Sequence, residues 1–126
     1  MARILLIEDD DLVRVSLRKA LESQGHDVYE AGDGEEGVDE FRAMVRHSKP
    51  SDVVVTDILM PNKDGYDTIN EIREIKPDAK IVAMSGGGSV NPQVFLDIST
   101  YIGVNRVLAK PFSTEELLAA VNDCLN

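Results

Sequence analysis

The chain has 126 residues, a formal net charge of −10 and one cysteine, Cys124. This length is that of a single domain, and the acidic balance argues against nucleic acid and anionic lipid as direct partners. One cysteine excludes an internal disulfide, which suits a reducing cytoplasm, and no apolar run approaches the roughly 18 residues of a membrane span.

Five short apolar runs recur along the chain and predict five β-strands. Four of them are rich in branched side chains, which favour strands. The runs are continuous rather than alternating, which indicates strands covered on both faces, as in a parallel sheet. They occupy residues 4–7, 28–29, 53–55, 81–84 and 107–109.

An amphipathic stretch follows each predicted strand and predicts a helix. The first, over 11–23, places Leu12 on its apolar face and precedes Gly25, a typical helix terminator. The last begins at a capping box that runs from Ser113 to Glu116. Five βα units joined by right-handed crossovers predict a doubly wound α/β fold, with five helices around a parallel sheet of order 2-1-3-4-5. The three middle helices are expected over 35–46, 68–75 and 92–102.

The carboxyl ends of the strands are where a fold of this class holds its site. Glu8 and Asp9 follow the first strand, and Asp57 follows the third. Because the order 2-1-3-4-5 makes these strands neighbours, the three carboxylates are expected to converge, and a cation must offset their repulsion. Oxygen ligands without histidine or cysteine favour Mg²⁺.

Ser85 and Lys110 follow the fourth and fifth predicted strands and extend the same cluster. A bound cation alone does not require them, whereas a phosphoryl group does, because Lys110 can neutralise its charge and Ser85 can donate a hydrogen bond. Asp57 can then be the nucleophile that forms an aspartyl phosphate. Singly, these residues have simpler roles, and Asp10 and Asp11 are expected to cap the first helix. Their combination at the strand ends favours phosphoryl chemistry.

Several segments fit one known pattern. The most specific is Asp57-Ile58-Leu59-Met60-Pro61-Asn62-Lys63-Asp64-Gly65, and the others are Ile4-Leu5-Leu6-Ile7-Glu8-Asp9-Asp10, Ser85 and Lys110-Pro111-Phe112. On these segments the chain resembles the receiver domain of two-component response regulators, the CheY-like fold, over essentially its whole length. We expect one receiver domain over 1–126 that stands alone.

This resemblance implies that Asp57 is the phosphoacceptor and that Ser85 and Lys110 contact the phosphoryl group. It implies Asp9, Asp57 and the backbone carbonyl of Leu59 as Mg²⁺ ligands, with Glu8 reaching the metal through water. The phosphodonor would be a phosphohistidine on a histidine kinase or phosphotransfer protein, and phosphorylation would change the binding of a downstream protein. Such a switch catalyses only its own phosphorylation and dephosphorylation.

Two features depart from the family pattern. Receivers usually carry an aromatic residue three positions before the lysine, where this chain has Val107. The stretch from Ser85 to Lys110 is also a few residues longer than in compact members. We therefore expect the signal to leave through residues 86–98 rather than through Val107.

Two other functions stay open from the sequence. A Mg²⁺-dependent phosphatase could use Asp57 on a similar sheet, although enzymes of the haloacid dehalogenase type place a second aspartate where this chain has Leu59. A flavin-binding electron carrier would cradle a phosphate after the first strand, where Glu8, Asp9 and Asp10 repel an anion.

Overall fold

A computed structural model describes residues 2–58, 65–85 and 103–126. Within them lie five strands and four helices, and the predicted helix over 92–102 lies outside the described residues. The strands are β1 (Arg3–Ile7), β2 (Asp27–Ala31), β3 (Val53–Asp57), β4 (Ile81–Ser85) and β5 (Arg106–Ala109). The helices are α1 (Asp11–Glu22), α2 (Gly34–Arg46), α3 (Gly65–Ile75) and α4 (Thr114–Leu125).

The five strands form one parallel sheet in the order β2-β1-β3-β4-β5, which confirms the predicted doubly wound fold. The register aligns Ile7 with Thr56 and Asp57 with Met84. The ends of β1, β3 and β4 therefore lie together at the carboxyl edge of the sheet, which carries the residues selected from the sequence.

The sheet separates two apolar layers because side chains alternate along each strand. Leu5 and Ile7 face a layer completed by α2 and α3, whereas Ile4 and Leu6 face a layer completed by α1 and α4. Both faces of β1 are thus buried, which explains its continuous apolar run. Truncation of a fully buried side chain such as Phe41 to alanine would cost about 3–5 kcal/mol.

Two helix starts follow the predicted caps. Asp10 is the N-cap of α1, and its Oδ1 accepts hydrogen bonds from the N–H groups of Leu12 and Val13. Ser113 and Glu116 form the predicted capping box at the start of α4. Such caps contribute about 1 kcal/mol each. Because Asp10 follows the candidate ligand Asp9 directly, its cap also fixes the path of the chain beside the site.

Three local predictions were wrong. Asp11 is the first residue of α1 rather than its cap. Leu12 is 84% exposed, because the first turn of α1 lies at the carboxyl edge of the sheet, beyond the apolar layers. Helix α3 begins at Gly65, three residues before its predicted start, because its first turn packs through a glycine that hydrophobic periodicity does not register.

None of the helices in the described residues is long and apolar enough to cross a membrane.

Candidate functional site

Three carboxylates meet where β1 and β3 end side by side. Glu8, Asp9 and Asp57 each offer one oxygen, and these oxygens lie within 4.8 Å of one another. Glu8 and Asp57 are only 1% and 4% exposed, whereas Asp9 is exposed. The structure thus brings together the three acidic side chains selected from the sequence, in a cluster that opens to solvent at Asp9.

Lys110 links the two buried carboxylates. Its Nζ donates hydrogen bonds to Oε1 of Glu8 at 2.5 Å and to Oδ2 of Asp57 at 2.8 Å. Its backbone N–H donates to the carbonyl of Ser85 at 2.8 Å, so the pairing of β4 with β5 holds the lysine over the cluster. Hydrogen bonds between ionised partners are stronger than neutral ones, and they offset part of the negative charge.

The pKa shifts of Glu8 and Lys110 describe the charge balance of the cluster. Burial raises the pKa of Glu8, although hydrogen bonds from Lys110 and from the backbone of Asp10 act in the opposite direction. Burial acts to lower the pKa of Lys110, but its bonds to Asp57 and Glu8 outweigh that effect and the pKa is raised. The lysine is therefore charged at neutral pH, while the ionised form of Glu8 is disfavoured. A further cation would relieve that cost.

The oxygen donors fit a small, hard cation. All three side chains in the cluster are carboxylates, and carboxylate, carbonyl and water oxygens are the donors that suit Mg²⁺. Oxygens that lie within 4.8 Å of one another could hold one small cation between them, with water as further ligands. Glu8, Asp9 and Asp57 are thus suited to hold the ion; Leu59, the expected backbone ligand, lies outside the described residues.

Ser85 lies on the same edge of the sheet. It ends β4 and is 3% exposed. It follows Met84, which is the register partner of Asp57, so the serine lies one residue beyond the phosphoacceptor candidate on the neighbouring strand. The structure therefore brings all five side chains predicted at the strand ends to one edge of the sheet: Glu8, Asp9, Asp57, Ser85 and Lys110.

Two residues that were not selected from the sequence support this site. A Cβ on Gly65 would lie 2.4 Å from Cα of Ile58 and 2.7 Å from the carbonyl oxygen of Asp57, so only glycine fits there. Arg14 donates from Nη1 to the carbonyl oxygen of Glu8 at 2.8 Å. The motif that begins at Asp57 ends in Gly65 and so contained a signal for it. For Arg14 the sequence offered only its spacing from Asp11, which suggests an ordinary helical ion pair.

The comparison with protein families settles the class. Residues 4–122 match the family described as the response regulator receiver domain. The chain belongs to this family. Its members are phosphorylation-controlled switches of two-component signalling, as the sequence analysis predicted, and nothing in the comparisons supports the alternative of a phosphatase. Receiver domains bind Mg²⁺ at an acidic pocket, which agrees with the cluster of Glu8, Asp9 and Asp57.

Individual relatives agree with this assignment. The receiver domain is 37% identical over 124 residues to the response regulator MprA of a Mycobacterium species, a match that covers 98% of this chain and 50% of that protein. The chain thus spans about half the length of the curated relatives it matches.

Two solved structures show the same fold along the chain. A receiver domain protein from Clostridium thermocellum superimposes with a TM-score of 0.85 at 28% identity and covers 100% of this chain and 95% of that one. The response regulator TrrA from Thermotoga maritima, solved in complex with Mg²⁺-BeF, gives a TM-score of 0.81 at 30% identity and covers 99% and 100% of the two chains.

Proposed function

We propose that this receiver domain accepts a phosphoryl group on Asp57 in a Mg²⁺-dependent reaction. The observation that carries the proposal is the position of the Asp57 carboxylate. It is buried at the end of β3, 2.8 Å from the ammonium of Lys110, and its oxygen lies within 4.8 Å of oxygens of Glu8 and Asp9. A nucleophile held between a cation-binding cluster and a fixed ammonium suits phosphoryl transfer, in which positioning and charge neutralisation supply most of the catalysis.

In this proposal the side chains at the strand ends divide between binding the metal and binding the phosphoryl group. Asp57 and Asp9 hold Mg²⁺ directly together with the carbonyl of Leu59, and Glu8 holds it through water. The ion supplies a positive charge that neutralises the oxygens of the transferred group. Lys110 binds a phosphoryl oxygen, and Ser85 donates a hydrogen bond to another.

The donor in this proposal is a phosphohistidine. Its P–N bond breaks as a P–O bond forms to a carboxylate oxygen of Asp57, and the released imidazole nitrogen keeps the electron pair and takes up a proton. The donor protein is a histidine kinase or a phosphotransfer protein, and the product binds a downstream protein. The chain turns over no other substrate.

A cytoplasmic location belongs to the same proposal, because ATP, the phosphoryl source of a histidine kinase, is a cytoplasmic metabolite.

Two further observations support these assignments. The relative TrrA was crystallised in complex with Mg²⁺-BeF, which supports a metal-dependent site of the same kind in this chain. The net charge of −10 disfavours direct contact of the chain with nucleic acid or with an anionic membrane surface.

Intact-protein mass spectrometry after incubation with acetyl phosphate and MgCl₂ tests the proposal. We expect one phosphoryl adduct on the wild-type chain, none after chelation of the metal and none on Asp57→Asn. The matched control is Asp78→Asn, whose carboxylate is exposed and pairs only loosely with Lys76 at 3.9 Å, and it should be phosphorylated like the wild type. An undiminished adduct on Asp57→Asn would refute the assignment.

A further inference from the structure

Arg14, on α1, binds the backbone of the chain at the end of β1, beside the carboxylate cluster. Its guanidinium makes three polar contacts at once: Nη1 donates to the carbonyl oxygen of Glu8 at 2.8 Å, Nη2 to Oδ1 of Asp11 at 2.7 Å, and Nε lies 3.5 Å from Oε1 of Glu30. Its side chain is only 18% exposed. The guanidinium therefore ties α1 to the end of β1 and to β2.

The contact with Glu8 determines where the next residue, Asp9, is held. The N–H of Glu8 donates to the carbonyl of Ala31 at 3.1 Å, which continues the pairing of β1 with β2 by one residue. Its carbonyl then accepts from Arg14 rather than from a strand. Both backbone groups of Glu8 are thus bound, one by the sheet and one by α1, so the peptide that leads into Asp9 has a fixed orientation.

The other side of Asp9 is fixed by the helix cap. The N–H of Asp10 donates to Oε2 of Glu8 at 3.1 Å, and the carbonyl of Asp10 accepts from the N–H of Arg14 at 2.8 Å. Arg14 therefore contacts the chain on both sides of Asp9, through its side chain before that residue and through its backbone after it. Partners that orient a metal ligand in this way commonly account for 10–100-fold in metal affinity.

We infer that Arg14 is a positioning residue for the Mg²⁺ site, which orients Asp9 and Glu8 by binding the Glu8 carbonyl. This inference rests on the proposed Mg²⁺ site. It predicts a change in Mg²⁺ affinity on loss of Arg14 that is opposite in sign to the change expected from charge alone. Removal of a positive charge beside a cation site should strengthen cation binding by Coulomb's law. Loss of the orientation of the ligands should weaken it.

Arg18 provides the matched control. It lies one turn further along α1 and contacts the same Glu30, with Nη1 at 2.8 Å from Oε2, as well as Glu22 at 3.4 Å. These two carboxylates are its only ion-pair partners in the described residues, so Arg18→Ala removes an arginine of α1 without touching the backbone of Glu8.

The experiment is a titration of each protein with MgCl₂ followed by backbone amide NMR shifts, together with hydrogen exchange of the amides of Asp9 and Asp10 before metal is added. We expect Arg14→Ala to bind Mg²⁺ about 10-fold more weakly, with faster exchange at those amides. Arg14→Lys, which keeps the charge and one possible donor to the Glu8 carbonyl, should fall between Arg14→Ala and the wild type. Arg18→Ala should bind at least as tightly as the wild type.

Equal or tighter binding by Arg14→Ala, or equal weakening in Arg14→Ala and Arg18→Ala, would overturn the inference while leaving the Mg²⁺ site in place. If the wild-type chain itself binds no Mg²⁺, both the proposed site and this inference fail. If thermal unfolding shows that Arg14→Ala does not fold, the comparison of Arg14→Lys with Arg18→Ala decides, because each replaces one arginine of α1 and only Arg14→Lys alters the donor to the Glu8 carbonyl. Equal Mg²⁺ affinity in these two variants would then overturn the inference.

Discussion

The ammonium of Lys110 lies 2.8 Å from Oδ2 of Asp57, although 53 residues separate the two in the chain. The same nitrogen lies 2.5 Å from Oε1 of Glu8. In the absence of metal, Lys110 is thus the cation that holds the two buried carboxylates together. In the proposed site, Mg²⁺ and Lys110 would share these carboxylates as partners.

Replacement of Lys110 by methionine should make folding depend on Mg²⁺. Loss of the ammonium removes a charged hydrogen-bond donor from two buried carboxylates, Glu8 and Asp57. We expect a loss of roughly 2 kcal/mol in the free energy of unfolding without metal, less than for a fully buried pair because the lysine is partly exposed. Mg²⁺ should raise the Tm of Lys110→Met more than that of the wild type. Calorimetry with and without MgCl₂ measures both effects.

Lys76→Met is the control for this variant. Lys76 is more exposed and pairs with Asp78 at 3.9 Å, so its loss should change neither the Tm nor the response to Mg²⁺. If Mg²⁺ stabilises the Lys110→Met protein no more than the wild type, Lys110 and Mg²⁺ do not neutralise the same carboxylates.

Gly65→Ala should destabilise the protein and displace Asp57. The added methyl group would lie 2.4 Å from the backbone of Ile58, which cannot move aside as the end of a side chain can. We expect a loss of about 2 kcal/mol, measured by chemical denaturation, and a lower yield of phosphorylation by acetyl phosphate. Gly32→Ala is the control, because its methyl group would meet the movable carboxylate of Glu36 at 3.3 Å; an equal loss in the two variants would argue against a backbone clash.

The sequence was sufficient for the strands and for the residues at their ends, because both follow from local signals. The sheet order followed from the alternation of strands and helices and the rules for doubly wound folds. Continuous apolar runs marked buried parallel strands, and the end of each run marked the edge where Glu8, Asp57 and Lys110 meet. The resemblance to receivers then assigned roles to these residues.

Other features depend on three-dimensional proximity that the sequence does not encode locally. The exposure of Leu12 follows from where the first turn of α1 lies relative to the sheet, and helical periodicity alone places that residue on the apolar face. The contact of Arg14 with the Glu8 carbonyl involves a backbone group, which no residue pattern marks. The motif that begins at Asp57 marked Gly65 as a glycine position, but it did not predict that Gly65 packs closely against the backbone of Ile58.

Leu12→Asp should slow phosphotransfer from a protein donor and leave phosphorylation by a small donor unchanged. Leu12 is 84% exposed at the start of α1. The next residue, Val13, lines an apolar groove of about 290 Å³ together with Leu17, Lys110, Pro111 and Phe112. Since Lys110 belongs to both the groove and the site, we expect a protein whose phosphohistidine reaches Asp57 to contact this surface.

We expect an approximately 10-fold lower rate from a phosphohistidine protein that phosphorylates the wild-type chain, which corresponds to about 1.4 kcal/mol. The rate with acetyl phosphate should stay the same. Leu125→Asp, at an exposed apolar residue of α4, is the control. Equal slowing with both donors would place the effect in the site rather than in docking.

Leu59→Asn should shorten the lifetime of the phosphoryl group. In the receiver family, the residue two positions after the phosphoacceptor influences attack by water, and here it is leucine. A leucine cannot orient water, whereas an amide can, so hydrolysis should be several-fold faster in the variant. The rate is measured by mass spectrometry after removal of the donor, with Leu59→Ile as an apolar control. An unchanged or slower rate in Leu59→Asn would contradict the expectation.

The final prediction concerns how phosphorylation is transmitted. Val107 lies in β5 and is partly exposed, with Ala83 of β4 as its register partner. As a β-branched residue it has few rotamers and no ring to turn inward, so it is a poor two-state element. The stretch Gly86-Gly87-Gly88, whose positions lie outside the described residues, carries three glycines, and a glycine backbone changes conformation at little cost. Ordering of this segment over a phosphoryl group would then transmit the signal.

We therefore expect the largest changes on activation in residues 86–98, with Val107 changing little. Backbone amide shifts measured by NMR, with and without beryllofluoride and Mg²⁺, test this. The Asp57→Asn protein under the same conditions is the control, because it lacks the carboxylate to which beryllofluoride should bind. Shifts that extend beyond the immediate site and centre on Val107, while residues 86–98 keep their shifts, would show that this chain transmits the signal through its fifth strand despite the missing aromatic ring.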